Sequence, residues 1–240
     1  MDEKSSDPHT APSQQAVFRG EAVYIRGNVR TGLVTLLLFL PASTTAAQTT
    51  AGSPSPAPPV PEWSFRVAAA TYIFKDDDNY IQPTITADRG ALHLEARYNY
   101  EDMRSVSGFV GWNFAFERAV TVEVTPIFGA VVGDTDGIIP GVELTVSFRR
   151  LEFYSEGEYV IDLHRERRRF LYNWSELSVW ATDWLRAGLV TQRTNTFFRP
   201  RDIQRGPLVG LAAGRFEGAL YFFNPGSDDY YYVASIGMSF

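Results

Sequence analysis

Between Ala91 and Glu101 the chain alternates, with Leu92, Leu94, Ala96, Tyr98 and Tyr100 on one side and His93, Glu95, Arg97, Asn99 and Glu101 on the other. Successive side chains of an extended strand point to opposite faces, so this stretch predicts a strand with one apolar and one charged face. The period recurs upstream. Phe65, Val67, Ala69 and Ile73 oppose Arg66 between Trp63 and Phe74, and Ile81, Ile85 and Ala87 oppose Gln82, Thr84 and Thr86 between Tyr80 and Asp88. Downstream, Ser105 to Glu117, Val120 to Phe128, Val142 to Phe148 and Leu151 to Ile161 carry it on. Leu171 to Ala181, Leu185 to Asn195, Pro207 to Gly214, Phe216 to Phe223 and Tyr230 to Phe240 complete about twelve strands. A membrane-spanning helix takes roughly 20 apolar residues in a row, whereas a tilted spanning strand takes about 9–11 and shows only every second one to its surroundings.

The final stretch bears on what covers the apolar face. Phe240, Met238, Ile236, Ala234, Tyr232 and Tyr230 share one side, and Ser239, Gly237, Ser235 and Val233 the other. An alternating last strand ending on Phe resembles the closing strand of bacterial outer-membrane β-barrel proteins, in which Tyr232, Ile236, Met238 and Phe240 would serve as the assembly signal. The resemblance extends from Trp63 to Phe240 and is generic to the class, selecting no subfamily. It implies an all-β, single-chain antiparallel transmembrane barrel over residues 63–240, located in the bacterial outer membrane. Its partners would be the barrel-assembly machinery during insertion, then outer-membrane lipid and lipopolysaccharide.

Connections between the strands agree with that expectation. Asp88-Arg89-Gly90, Glu117-Arg118, Arg149-Arg150, Thr182-Asp183-Trp184 and Gly214-Arg215 read as tight turns, and the links between them are longer and more polar. Outer-membrane barrels pair short periplasmic turns with long outer loops, which puts both termini in the periplasm. Two aromatic girdles are expected, at Trp63, Phe116, Phe148, Trp184 and Phe240 on the turn side and at Tyr80, Tyr100, Tyr159 and Tyr230 on the loop side. A soluble barrel or sandwich also alternates, but with its apolar face inward.

Ahead of the strands, residues 1–25 form a polar lead too poor in apolar side chains to order itself. Arg26 and Arg30, the apolar run Leu33 to Leu40 and the small residues ending at Ala47 then give the layout of a secretory signal peptide over 26–47. The run is too short for a permanent helical anchor. Residues 48–62 are a linker rich in Pro and Ala.

Composition narrows the classes further. A chain of 240 residues with 45% hydrophobic content suits one closed barrel. A net charge of -6 argues against a general nucleic-acid binder, which needs a broad basic surface. Cysteine is absent, excluding disulfides and thiolate metal sites.

The polar face holds the candidate chemistry. Arg66, Arg97 and Arg186 would face Glu95, Glu123, Glu143, Glu152, Glu156, Glu158 and Glu176 across the lumen. Such charges can select small hydrophilic solutes in a passive channel, or they can pair into a plug that closes the barrel and leaves its outer loops to act. A second cluster, Arg165, Arg167, Arg168, Arg169, Arg199, Arg201 and Arg205, would sit in surface loops and suit phosphate groups of lipopolysaccharide. A lipid-modifying enzyme is the third reading, and it lacks support. His9 lies in the lead, His164 among loop arginines, and His93 beside no serine. No catalytic residue or cofactor is assigned. No metal site is expected either, since Asp76, Asp77 and Asp78, and Asp134 and Asp136, lack a recognised ligand spacing.

Overall fold

The computed structural model describes residues 61–164, 169–196 and 202–240, with the side chains of Thr196 and Asp202 left aside. The polar lead, the signal peptide, nearly all of the linker, and Arg165, Arg167, Arg168, Arg199 and Arg201 fall outside these residues.

All regular structure among the described residues is strand. The segments are β1 (Trp63–Phe74), β2 (Tyr80–Arg89), β3 (Leu92–Tyr98), β4 (Val106–Trp112), β5 (Phe114–Glu117), β6 (Thr121–Val132) and β7 (Gly137–Phe148). They are followed by β8 (Leu151–Asp162), β9 (Phe170–Trp180), β10 (Leu185–Thr196), β11 (Asp202–Ala213), β12 (Phe216–Phe223) and β13 (Tyr231–Ser239). β4 and β5 pair with β6 in one register, Gly111 opposite Ile127 and Phe114 opposite Val124, so they are two halves of one barrel strand interrupted at Asn113. The thirteen segments therefore make twelve barrel strands, each antiparallel to its sequence neighbours. β13 pairs with β1, Met238 opposite Val67 and Tyr232 opposite Ile73, and this closes the sheet. Phe65 and Phe240 exchange backbone hydrogen bonds at 2.8 and 2.9 Å and stack their rings 5.8 Å apart, so the closing seam is paired to its end. Among the described residues closure leaves no free sheet edge.

Alternation decides which residues go in. Along β3 the charged set, His93, Glu95 and Arg97, is buried, whereas Leu94 and Tyr98 are exposed. The pattern repeats around the barrel, with Ile85, Val110, Phe128, Leu189, Val209 and Ile236 all about half exposed on the outer surface. A water-soluble barrel shows the opposite polarity.

Turns are tightest where the chain supplies a left-handed residue. Gly90 at φ 60° and Gly214 at φ 63° reverse the chain after β2 and β11, a conformation glycine adopts without steric cost. Arg150 ties its turn to the next one by donating to the carbonyls of Trp180 and Ala181.

Three expectations need correction. Tyr80 and Tyr100 are not in an outer girdle. Tyr80 shares the inward side of β2 with Gln82 and stacks on buried Tyr72, while Asn99, at φ 56°, ends the β3 period so that the next two residues, Tyr100 and Glu101, both turn inward. Arg205 belongs to strand rather than loop, because β10 and β11 stay paired beyond Pro207 and set Arg205 opposite Thr191. Asn224 reinforces that extension by donating its backbone N–H to the Arg205 carbonyl at 2.8 Å.

Candidate functional site

Inside the barrel, Arg97 is the centre of the first of two charged clusters. Its guanidinium lies against two aromatic rings, 4.1 Å from the centroid of Tyr100 and 4.4 Å from that of Phe109. Phe109 in turn lies across Gly129, where even a Cβ would strike the ring. The edge of the guanidinium meets carboxylates, Glu158 at 2.6 Å, Glu95 at 2.7 Å and Glu156 at 3.1 Å, with Glu101 and Glu143 at 3.8 Å. Five carboxylates thus share one guanidinium, four of them buried and Glu143 partly exposed. Hydroxyl donors relieve part of the surplus. Tyr100 and Tyr154 donate to Glu156, and Ser107 donates to Glu101.

Glu176 anchors the second cluster. It accepts from Arg186 at 2.7 Å, from the Tyr221 hydroxyl at 2.9 Å and from the Trp174 indole at 3.0 Å, which satisfies both oxygens. Arg66 pairs with Glu217, and Gly237 leaves the space they occupy, since a Cβ there would reach both. Glu123 and Glu152 also face inward and are half-buried, toward the turn end of β6 and β8. Of the arginines expected in loops, Arg169 is described and sits half-buried just before β9.

An aromatic core in the loop-side half was not anticipated. Tyr72 stacks on Tyr80 with centroids 4.7 Å apart, Phe223 stacks on Tyr231 at 4.8 Å, and Trp174 meets Tyr221 and Phe223 edge-on at 5.2 and 5.4 Å. Tyr72, Tyr172, Trp174 and Phe223 have 0% exposure. Val160, Ile139, Val190 and Leu208 fill the spaces between them. The signal was present as parity: Tyr172 and Trp174 share a face with Glu176, Tyr72 with Arg66, and Tyr231 with Val233.

The interior therefore has two halves. Toward the loops it is packed like a protein core. Toward the turns it is polar and partly open, with Glu123, Glu143, Thr145, Ser147, Glu152 and Glu217 all half-exposed.

No family model matches the sequence, and no curated protein matches it. Among solved structures, the chain is similar to a KdgM porin with a TM-score of 0.56 and 11% identity, covering 73% of this chain and 99% of that one. A second structure, a KdgM porin in complex with disordered oligogalacturonate, matches with the same TM-score and coverage at 9% identity. At such low identity the likeness is one of architecture, and the fold is that of a twelve-stranded porin-type barrel.

Proposed function

We propose that the chain is a bacterial outer-membrane barrel with both termini in the periplasm, a non-enzymatic channel for small hydrophilic solutes whose path is shut at rest by the aromatic core. The exposed apolar belt supports the location, because contiguous apolar surface of that extent needs lipid to cover it. On this reading Tyr232, Ile236, Met238 and Phe240 are the signal read by the assembly machinery, and lipopolysaccharide surrounds the loop end.

The observation that carries the channel reading is the charge imbalance inside. Arg66, Arg97 and Arg186 face Glu95, Glu101, Glu123, Glu143, Glu152, Glu156, Glu158, Glu176 and Glu217. A barrel built only to be plugged has no use for this excess, since carboxylates that outnumber the guanidinium groups beside them repel one another. An acidic interior favours cations and uncharged solutes over a polyanion such as the oligogalacturonate named with one structural neighbour. Single-channel recording of the refolded chain in a planar bilayer is expected to give brief, small, cation-preferring steps. Steady, wide, anion-preferring conductance would contradict the proposal.

The second reading is a permanently closed barrel acting through its loops, favoured by the 0% exposure of the core aromatics. Complete silence from a folded barrel at every voltage would select it.

Lipid on the outside makes its own prediction. Leu189, halfway along β10 and 62% exposed, should tolerate Arg poorly, losing about 2–4 kcal/mol of folding free energy in lipid vesicles if it sits near the bilayer midplane. Denaturant titration in vesicles measures the loss. An unchanged midpoint would place this face in water.

A further inference from the structure

His93 and Glu95 of β3 meet Glu143 of β7 across the barrel interior, and one ligand atom from each falls within 4.8 Å of the others. The two strands are not sheet neighbours, so closure alone brings these groups together. The imidazole distinguishes the group from an ordinary acidic wall. His93 is 6% exposed and its Nδ1 lies 2.8 Å from Asp88 Oδ1. That same oxygen accepts from Asn113 Nδ2 at 2.7 Å, and Asn113 Oδ1 accepts from the Thr125 hydroxyl at 2.7 Å. Asn113 is also the residue at which β4 gives way to β5, so the interruption of the strand coincides with this support.

A carboxylate fixed beside Nδ1 holds the proton there and leaves the Nε2 lone pair free, the arrangement that orients metal-binding histidines. Nε2 is buried and has no hydrogen-bond partner. Glu95 Oε2 is 3.7 Å from it, too far for a hydrogen bond. Two ligands each about 2.0–2.2 Å from a common ion stand roughly that far apart. Glu143 also lies opposite Glu156 in the β7–β8 register, a like-charge pairing that calls for a counter-charge, and its nearest arginine contact is 3.8 Å from Arg97. Partial exposure of Glu143 and Asp88 leaves an approach from the turn side.

We propose that His93 Nε2, Glu95 and Glu143 bind one divalent first-row cation of the zinc type, with Asp88 and Asn113 as positioning residues. An imidazole with two carboxylates suits such an ion better than magnesium or calcium, which prefer oxygen alone. The site is independent of whether the barrel conducts.

The test uses the full chain refolded in detergent, with unheated-gel migration confirming the barrel. Co²⁺ is added as a spectroscopic probe and then displaced by Zn²⁺ against a chromophoric chelator. One equivalent per chain, with visible bands of a four- or five-coordinate ion, is expected. His93→Gln should weaken Zn²⁺ by about 100-fold or more, and Asp88→Asn by about 10–100-fold. Glu143→Gln, similar in shape to the native residue, should also weaken it and gives an independent result if His93→Gln does not fold. Asp134→Asn in the loop after β6 should change nothing. The proposal fails if no saturable binding occurs below about 1 mM. It fails equally if folded His93→Gln and Glu143→Gln bind as the native chain does, which would mean an adventitious ion only.

Discussion

Replacing Arg97 by Met should destabilise the barrel by about 3–5 kcal/mol, the cost typical of stranding a buried charge by removing its partner. The stem and part of the contact with Tyr100 and Phe109 survive the change, but the guanidinium within 3.8 Å of Glu95, Glu101, Glu143, Glu156 and Glu158 does not. The loss would be read from the denaturant midpoint in vesicles. A cycle with Glu158→Gln separates charge from packing. Glu158 makes the shortest contact with Arg97, at 2.6 Å, so its neutralisation should restore part of the loss. A single replacement within about 0.5 kcal/mol of the native chain would mean that the cluster is hydrated and weakly coupled.

Trp174→Ala should act on both stability and passage. Trp174 is fully buried, touches Tyr221 and Phe223 edge-on, and donates its indole N–H to Glu176. Removing a buried indole typically costs about 3–5 kcal/mol, part of it from the cavity left behind. On the proposed reading the cavity opens inside the element that closes the conduit. Longer and larger single-channel openings than in the native chain are therefore expected, with cation preference kept because Arg97 and its carboxylates remain. Trp180→Ala supplies the control. That side chain faces inward at the turn end of β9, outside the aromatic core, so its loss should leave open times unchanged. A folded Trp174→Ala barrel that passes no more current than the native chain would remove the aromatic core from the account of gating.

Much of the barrel was legible because period-two alternation is a local property. Leu94 and Arg97 declare opposite faces within one stretch, and the register between strands then follows from closure. Alternation alone does not say which face points inward, since a soluble barrel alternates too; the terminal Phe240, the aromatic girdles and the unequal connections pointed the charged set into the lumen. Where local rules changed, the reading failed. Tyr100 was assigned outward by extending the β3 period, but the left-handed Asn99 ends that period and turns Tyr100 onto Arg97. Arg205 reads as loop if the strand starts at Pro207, yet proline is tolerated in a strand where its missing N–H is not needed. Outward-facing Pro207 in fact sits in the middle of β11, opposite Leu189.

The aromatic core was hidden for a different reason. Tyr and Trp are equally at home in a lipid-facing girdle and in a packed interior, so residue type does not choose between them. Parity with Glu176 assigned Trp174 inward, but only the assembled sheet brings β1, β2, β9, β12 and β13 near enough for their rings to stack. The grouping of His93 with Glu143 needed the same information, since they are fifty residues apart and meet through the lumen.

The most direct test of a conduit open toward the turns and sealed toward the loops is thiol labelling inside the folded barrel. The chain has no native cysteine, so single substitutions report cleanly. Ser147→Cys and Ile139→Cys both place the thiol on the inward face of β7, one half-exposed near the turns and the other at 0% exposure in the loop-side core. In native-folded barrels a small hydrophilic maleimide should label Ser147→Cys readily and Ile139→Cys only after unfolding. Equal labelling of the two positions in the folded state would mean a lumen open from end to end, and would contradict the account.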